Sequence, residues 1–152
     1  MGRRVAAPPE AGSPGVVPAP PWRRLLPGLW PLSLAVLMLL PLRHPGYPLA
    51  RDLAFVPHEP LTDASIGLGG TSPRAVPLDA VVAVLTSVVD GAVVARVLLL
   101  LTLAVAGWGV LRLAAPLGTA GRLAASGFAV WNPFVVERMA LGQWALVAAY
   151  AA

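Results

Sequence analysis

Residues 92–111 carry a single ionisable side chain, Arg96, in a run of Val, Leu and Ala broken only by Thr102, Gly107, Trp108 and Gly109. A helix of that length rises about 30 Å at ~1.5 Å per residue, which matches the hydrocarbon thickness of a bilayer. The run therefore predicts a membrane-spanning helix, with Arg96 near its outer end snorkelling towards water and Arg112 beyond its inner end.

The same signal recurs elsewhere in shorter form. Residues 25–42 are free of charge and end at Arg43, near the lower limit for a span. Pro27 and Pro31 are expected in the first turns of that helix, where a missing N–H costs least, and Trp22 and Trp30 at headgroup depth. Residues 123–136 and 139–152 form two further apolar runs separated only by Glu137-Arg138. Each reaches about 21 Å at the helical rise, so they are expected either to form a shallow hairpin or to extend past these limits. The last residue lies inside an apolar run, and the chain is expected to continue beyond it. A sequence that is 57% hydrophobic and 12% charged has more apolar surface than it can bury in itself, and lipid takes the excess. The fold expected is all-α: a polytopic helical membrane protein of about four segments, residues 22–152, with a first outer loop of mixed coil and helix.

Orientation follows from the arginines, which supply every basic side chain. Arg23 and Arg24 abut the first span, so the positive-inside rule places the amino terminus in the cytoplasm. Arg112 and Arg122 bracket a Pro/Gly loop over residues 115–121 on that same side. Residues 43–91 then form the outer loop, its first half broken into turns by repeated proline. Within it, residues 77–89 are apolar except for Asp79, Thr86 and Ser87, which suits a helix lying along the interface or one buried in a small loop domain. Residues 1–21, rich in Pro, Gly and Ala, read as a disordered cytoplasmic tail. They fit neither a secretory signal nor a myristoylation motif.

Several function classes fall away. There is no Cys, so disulfides and thiolate metal sites are excluded. The net charge of +4 comes from arginines scattered singly or in pairs, not from one basic face, and no nucleic-acid partner is predicted. His44, His58, Glu59 and Asp63 lack a ligand spacing, so a divalent metal is unsupported and no cofactor is predicted. The segment Gly67-Leu68-Gly69-Gly70 lacks the Lys of a phosphate-binding loop and reads as a turn.

Ionisable residues beside the membrane are the functional candidates. Glu137-Arg138 marks the break between the last two runs. In a helix starting near Val135, Glu137, Leu141 and Trp144 share one face, Arg138, Gly142 and Ala145 the next, and Gln143 points elsewhere and stays outside the site. Arg138 is a candidate phosphate contact, Glu137 a sugar contact and Trp144 an apolar platform. The plainer reading makes the two charges a hairpin boundary and Trp144 a packing residue. Arg51-Asp52 follows the first span closely enough to return to the membrane surface. Asp52 is a candidate general base, with Arg51 keeping it ionised or contacting a phosphate, and the plainer reading is a turn.

The segment Trp131-Asn132-Pro133-Phe134-Val135-Val136-Glu137-Arg138, continuing through Leu141-Gly142-Gln143-Trp144-Ala145-Leu146, resembles large actinobacterial membrane proteins. The loop Arg51-Asp52-Leu53-Ala54-Phe55-Val56-Pro57 fits the same picture. These look like polyprenyl-phosphate-dependent glycosyltransferases of the GT-C type, the architecture of the arabinofuranosyl- and mannosyltransferases of the mycobacterial envelope. The resemblance runs from Trp22 to the end and covers the front part of such a protein. It implies an acid in the first outer loop, here Asp52, and a second between the third and fourth helices, here Glu137. It also implies a polyprenyl-phosphate-linked sugar as donor. Two other readings compete: a noncatalytic component packing on a partner protein through Gly107, Gly109, Ala114 and Gly127, and a transporter fragment.

Overall fold

The computed structural model describes residues 22–68, 70 and 75–152. The expected tail over residues 1–21 lies outside the described residues, as do Gly69 and Arg74. Among the described residues the chain is helical apart from loops and one pair of two-residue strands.

The organising element is a helix over Gly91–Leu113, α3 in chain order. Asp90 caps it, its Oδ1 accepting from Ala92 N–H at 2.8 Å, and Arg112 in the last turn complements the dipole. Ala95, Leu99, Leu103 and Ala106 are buried along one side, while Val93, Val97, Leu101, Val105 and Trp108 are exposed along the other. The helix is apolar all round, and with 33% of its most hydrophobic window buried it leaves a wide apolar surface exposed. Among the described residues α3 alone is long and apolar enough to cross a membrane.

Helix α1 (Trp22–Leu39) continues into a 3-10 turn at Leu40–Arg43 and packs on α3. It starts earlier than expected, so Pro27 and Pro31 lie inside it and not in its first turns. Each removes one helical hydrogen bond. The indoles make good contacts here: Trp108 Nε1 donates to Gly28 O at 2.9 Å and Trp30 Nε1 to Leu123 O at 3.0 Å. Trp30 is thus a clasp between helices as well as a half-exposed ring. Arg96 differs from expectation too. Its guanidinium turns to the carbonyls of Leu42, His44 and Gly46 at 2.7–3.0 Å, satisfying acceptors in the 3-10 turn and the loop that follows it.

The last third divides differently from the two expected runs. After a 3-10 turn at Ala115–Leu117 come α4 (Gly118–Val130), α5 (Pro133–Ala140) and α6 (Trp144–Ala151). The expected loop over residues 115–121 is therefore half helix. Asn132 causes the first break. Its Oδ1 caps α5 by accepting from Val135 N–H at 3.0 Å, Pro133 takes the first helical position, and its Nδ2 donates to Phe128 O and Ala129 O at the end of α4. Gly142 causes the second, with φ 77°. Gln143 N–H donates to Arg138 O at 2.8 Å and Gly142 N–H to Met139 O at 3.1 Å, which together form a Schellman stop. Glu137-Arg138 therefore lies within α5 and not at a tip between two helices.

Strands β1 (Leu49–Ala50) and β2 (Leu53–Ala54) pair antiparallel, Leu49 opposite Ala54 and Ala50 opposite Leu53, with Arg51-Asp52 as the turn. Helix α2 (Leu78–Thr86) buries Val82, Ala83 and Thr86 and exposes Val81, Val84 and Leu85. One face is packed and one apolar face is open, so both expected readings of this segment stand. Leu53, Phe55 and Val82 join Val94, Ala95 and Leu99 in one core, at the amino-terminal half of α3. A second core gathers Ala35, Leu103, Val130, Val135 and Val147 farther along.

Candidate functional site

Where the loop between α1 and α3 meets the link between α5 and α6, a cleft of about 520 Å³ opens. One wall is the hairpin, another the start of α2, and the third the segment from Gly142 to Leu146. Phe55 and Trp144 meet at 5.5 Å between ring centroids, tilted by 50°, and both line it. Three carboxylates, Asp52, Glu59 and Asp79, are set around the wall. Among the described residues no three His or acidic side chains gather closely enough to hold a metal ion.

Asp52 is held from two directions. Its backbone N–H donates to Leu141 O at 3.2 Å, docking the hairpin turn on the end of α5. Its Oδ2 accepts from Gln143 Nε2 at 3.3 Å, while Gln143 Oε1 accepts from Arg138 Nη1 at 2.6 Å. The amide orientation follows from chemistry: a guanidinium can only donate and a carboxylate only accept, so the carbonyl must face Arg138 and the NH₂ must face Asp52. Gln143 joins the charge of Arg138 to the carboxylate of Asp52, although helical projection placed it away from the site. That projection ran straight through Gly142, where the chain turns left-handed. A Gly closing an apolar helical run is a stop signal in its own right and was the sign available.

The other candidates are placed as follows. Glu137 is 60% exposed, ion-paired to Arg138 at 3.5 Å, and outside the cleft lining. Arg138 stacks over the Phe134 ring at 5.4 Å, and its Nε is buried without a hydrogen-bond partner among the described residues. A phosphate could therefore reach it only through the Nη atoms. Arg51 is exposed at the hairpin turn with φ 51° and does not line the cleft. Glu59, Asp79, Phe55 and Gln143 are the additions to the sequence-derived set. Glu59 reaches the cleft because its N–H donates to Thr86 Oγ1 of α2 at 3.0 Å, a pairing across 27 residues that no local pattern announces.

Outside the cleft, Tyr47 OH donates to Asp90 Oδ2 at 2.7 Å. That bond, helped by the Ala92 N–H, holds the Asp90 carboxyl below its usual range, and the same bond holds the Tyr47 phenol above its own.

Comparison of the chain with protein-family models, curated proteins and solved structures gave no match.

Proposed function

We propose that this chain is the amino-terminal membrane part of a GT-C-like glycosyltransferase acting on a lipid-linked sugar in cell-envelope assembly, with Asp52 as its base. The observation that carries the reading is the cleft itself, where a carboxylate fixed by Gln143 lies beside an aromatic wall of Phe55 and Trp144. Aromatic faces suit the C–H faces of a sugar and carboxylates suit its hydroxyls. Among the described residues the charged lining is entirely carboxylate, which favours the neutral sugar inside and keeps a lipid phosphate at the rim. Asp52 would take the proton of the acceptor hydroxyl as that oxygen bonds to the anomeric carbon. The bond from that carbon to the phosphate oxygen breaks in the same step, and the lipid phosphate leaves as the anion. Arg138 is the proposed phosphate contact, in competition with Glu137 for Nη2, and Glu137 the second acid that the resemblance implies.

In this reading α1 is a further membrane segment, α4 to α6 form a broken run packed against α3, the amino terminus is cytoplasmic, and the cleft faces the opposite side. The partner-packing alternative is weakened by where its glycines lie. A Cβ on Gly107 would come within 2.5 Å of Pro31 and 2.6 Å of Val130, and one on Gly127 would touch Trp30 and Leu34. Both serve this chain's own helices, and Gly109 is left open.

The test is sugar transfer from a polyprenyl-phosphate donor in membranes containing the protein as its gene encodes it. Asp52→Asn should reduce transfer by at least ~100-fold, the scale of a general base, with expression unchanged. Wild-type turnover in that variant would remove Asp52 from the role.

A further inference from the structure

A second concavity lies outside the cleft, between the end of α1 and the first half of α3. It has a volume of about 210 Å³ and is walled by Val36, Leu39, Leu40, Leu42 and Leu100, with Arg43 and Arg96 beside them. Val36 and Leu40 are exposed, so it opens outward from the helix pair. From Val36 to Arg43 the walls run on the order of 10 Å along the chain axis.

The arginines set what it can hold. Arg96 gives four of the five guanidinium N–H groups to the carbonyls of Leu42, Ala92, His44 and Gly46. Carbonyls satisfy donors without cancelling charge. Neither Arg96 nor the exposed Arg43 has a carboxylate within ion-pair distance among the described residues. Two positive charges therefore stand uncompensated at one end of an aliphatic groove. A charge at the edge of low-dielectric surroundings gains most from a counter-ion that is itself held in place, and a phosphate is the group a guanidinium fits.

We propose that the groove between α1 and α3 holds the headgroup-proximal part of one acyl chain of an anionic membrane phospholipid, with its phosphodiester against Arg43 and the remaining N–H of Arg96. The proposal rests on the membrane placement of these two helices. The apolar walls take the methylenes, and the uncompensated charge selects an anionic over a zwitterionic headgroup.

The test uses the full chain purified in maltoside micelles doped with phosphatidylglycerol or with phosphatidylcholine, read by native mass spectrometry and by melting temperature. The wild type should retain phosphatidylglycerol several-fold over phosphatidylcholine and melt higher with it. Arg43→Gln should bring that ratio close to one. Val36→Trp fills the groove from its exposed side, leaves both arginines in place, and should abolish retention of either lipid. Equal retention of the two lipids by the wild type overturns the proposal. So does a phosphatidylglycerol preference that survives Val36→Trp, which would mean surface charge alone, or equal stabilisation by inorganic phosphate, which would mean a free-anion site. Release of the chain from its native membranes by alkaline carbonate would refute the membrane placement itself. Retention there without any lipid preference would refute only the groove.

Discussion

Gln143 and Arg51 are side chains whose neighbours decide what they can do. Gln143 cannot be replaced by Glu without placing a second carboxylate against Asp52, nor by Leu without leaving Arg138 Nη1 and Asp52 Oδ2 short of a partner. Arg51 sits at φ 51°, which costs a side-chain-bearing residue about 1–2 kcal/mol. Arg51→Gly should therefore be neutral or stabilising by up to about 1 kcal/mol, since glycine also loses more entropy on folding. Melting temperature checks that. If Arg51 also contacts a donor phosphate, transfer should fall in the same variant while stability does not, and the pair of readouts separates the two roles. The bond between Tyr47 and Asp90 gives a pH signature. The Asp90 carboxyl is held low chiefly by the Tyr47 hydroxyl, so its stabilisation is present above the ordinary carboxylate range and lost as pH falls through its depressed value. Because the Tyr47 phenol is held high, the bond also fails as pH rises past that raised value. Melting curves of wild type and Tyr47→Phe should differ at neutral pH and converge at both extremes. A constant difference across the range would show that the hydroxyl does not act through Asp90.

Among the elements, α3 was legible from its sequence because a single charge, Arg96, falls in its apolar run, and its observed bounds exceed the expected ones by only a residue or two. The last third was not, because its apolar residues continue across Asn132 and Gly142 while the backbone does not. Composition reports what an element is made of; caps report where it stops. Asn132 illustrates the difference, since it spends its carbonyl on α5 and its amide on the carbonyls of α4, with Tyr150 OH of α6 at 3.4 Å. At the helix crossing, Gly107 leaves no room for a Cβ between Pro31 of α1 and Val130 of α4, and Ser126 Oγ donates to its carbonyl at 2.8 Å. Gly107→Ala should cost about 1–3 kcal/mol by overpacking. Gly109→Ala, with nothing within 4 Å, should gain up to ~1 kcal/mol from helix propensity. Thermal unfolding of the two variants in detergent compares them directly, and equal effects would remove the crossing as the cause.

For the whole molecule, the sequence located Asp52 because it follows the first apolar run so closely, and Trp144 because it follows the Glu137-Arg138 break. Glu59 and Asp79 could not be read as cleft residues because only the fold of the loop between α1 and α3 brings them there. Orientation is the part that the arginines at both ends of the first run leave finely balanced. A phosphatase reporter fused after Arg74 should be active and a cytoplasmic reporter at the same point silent. The reverse pattern would invert the proposed topology and move the cleft to the cytoplasmic face.

The cleft's walls are unequally secured. The hairpin and the bend after α5 are bolted together by a backbone bond from Asp52 to Leu141 and a side-chain bond from Gln143 to Asp52. The opposite wall is the start of α2, a nine-residue helix held by the packing of Val82, Ala83 and Thr86 and by the single Thr86–Glu59 bond. If the cleft takes a guest as proposed, it acts like a vice with one fixed jaw: an oversized guest should push α2 outward before it disturbs Asp52. Tolerance for guest size would then be set on the α2 side, and the geometry of the carboxylate on the other.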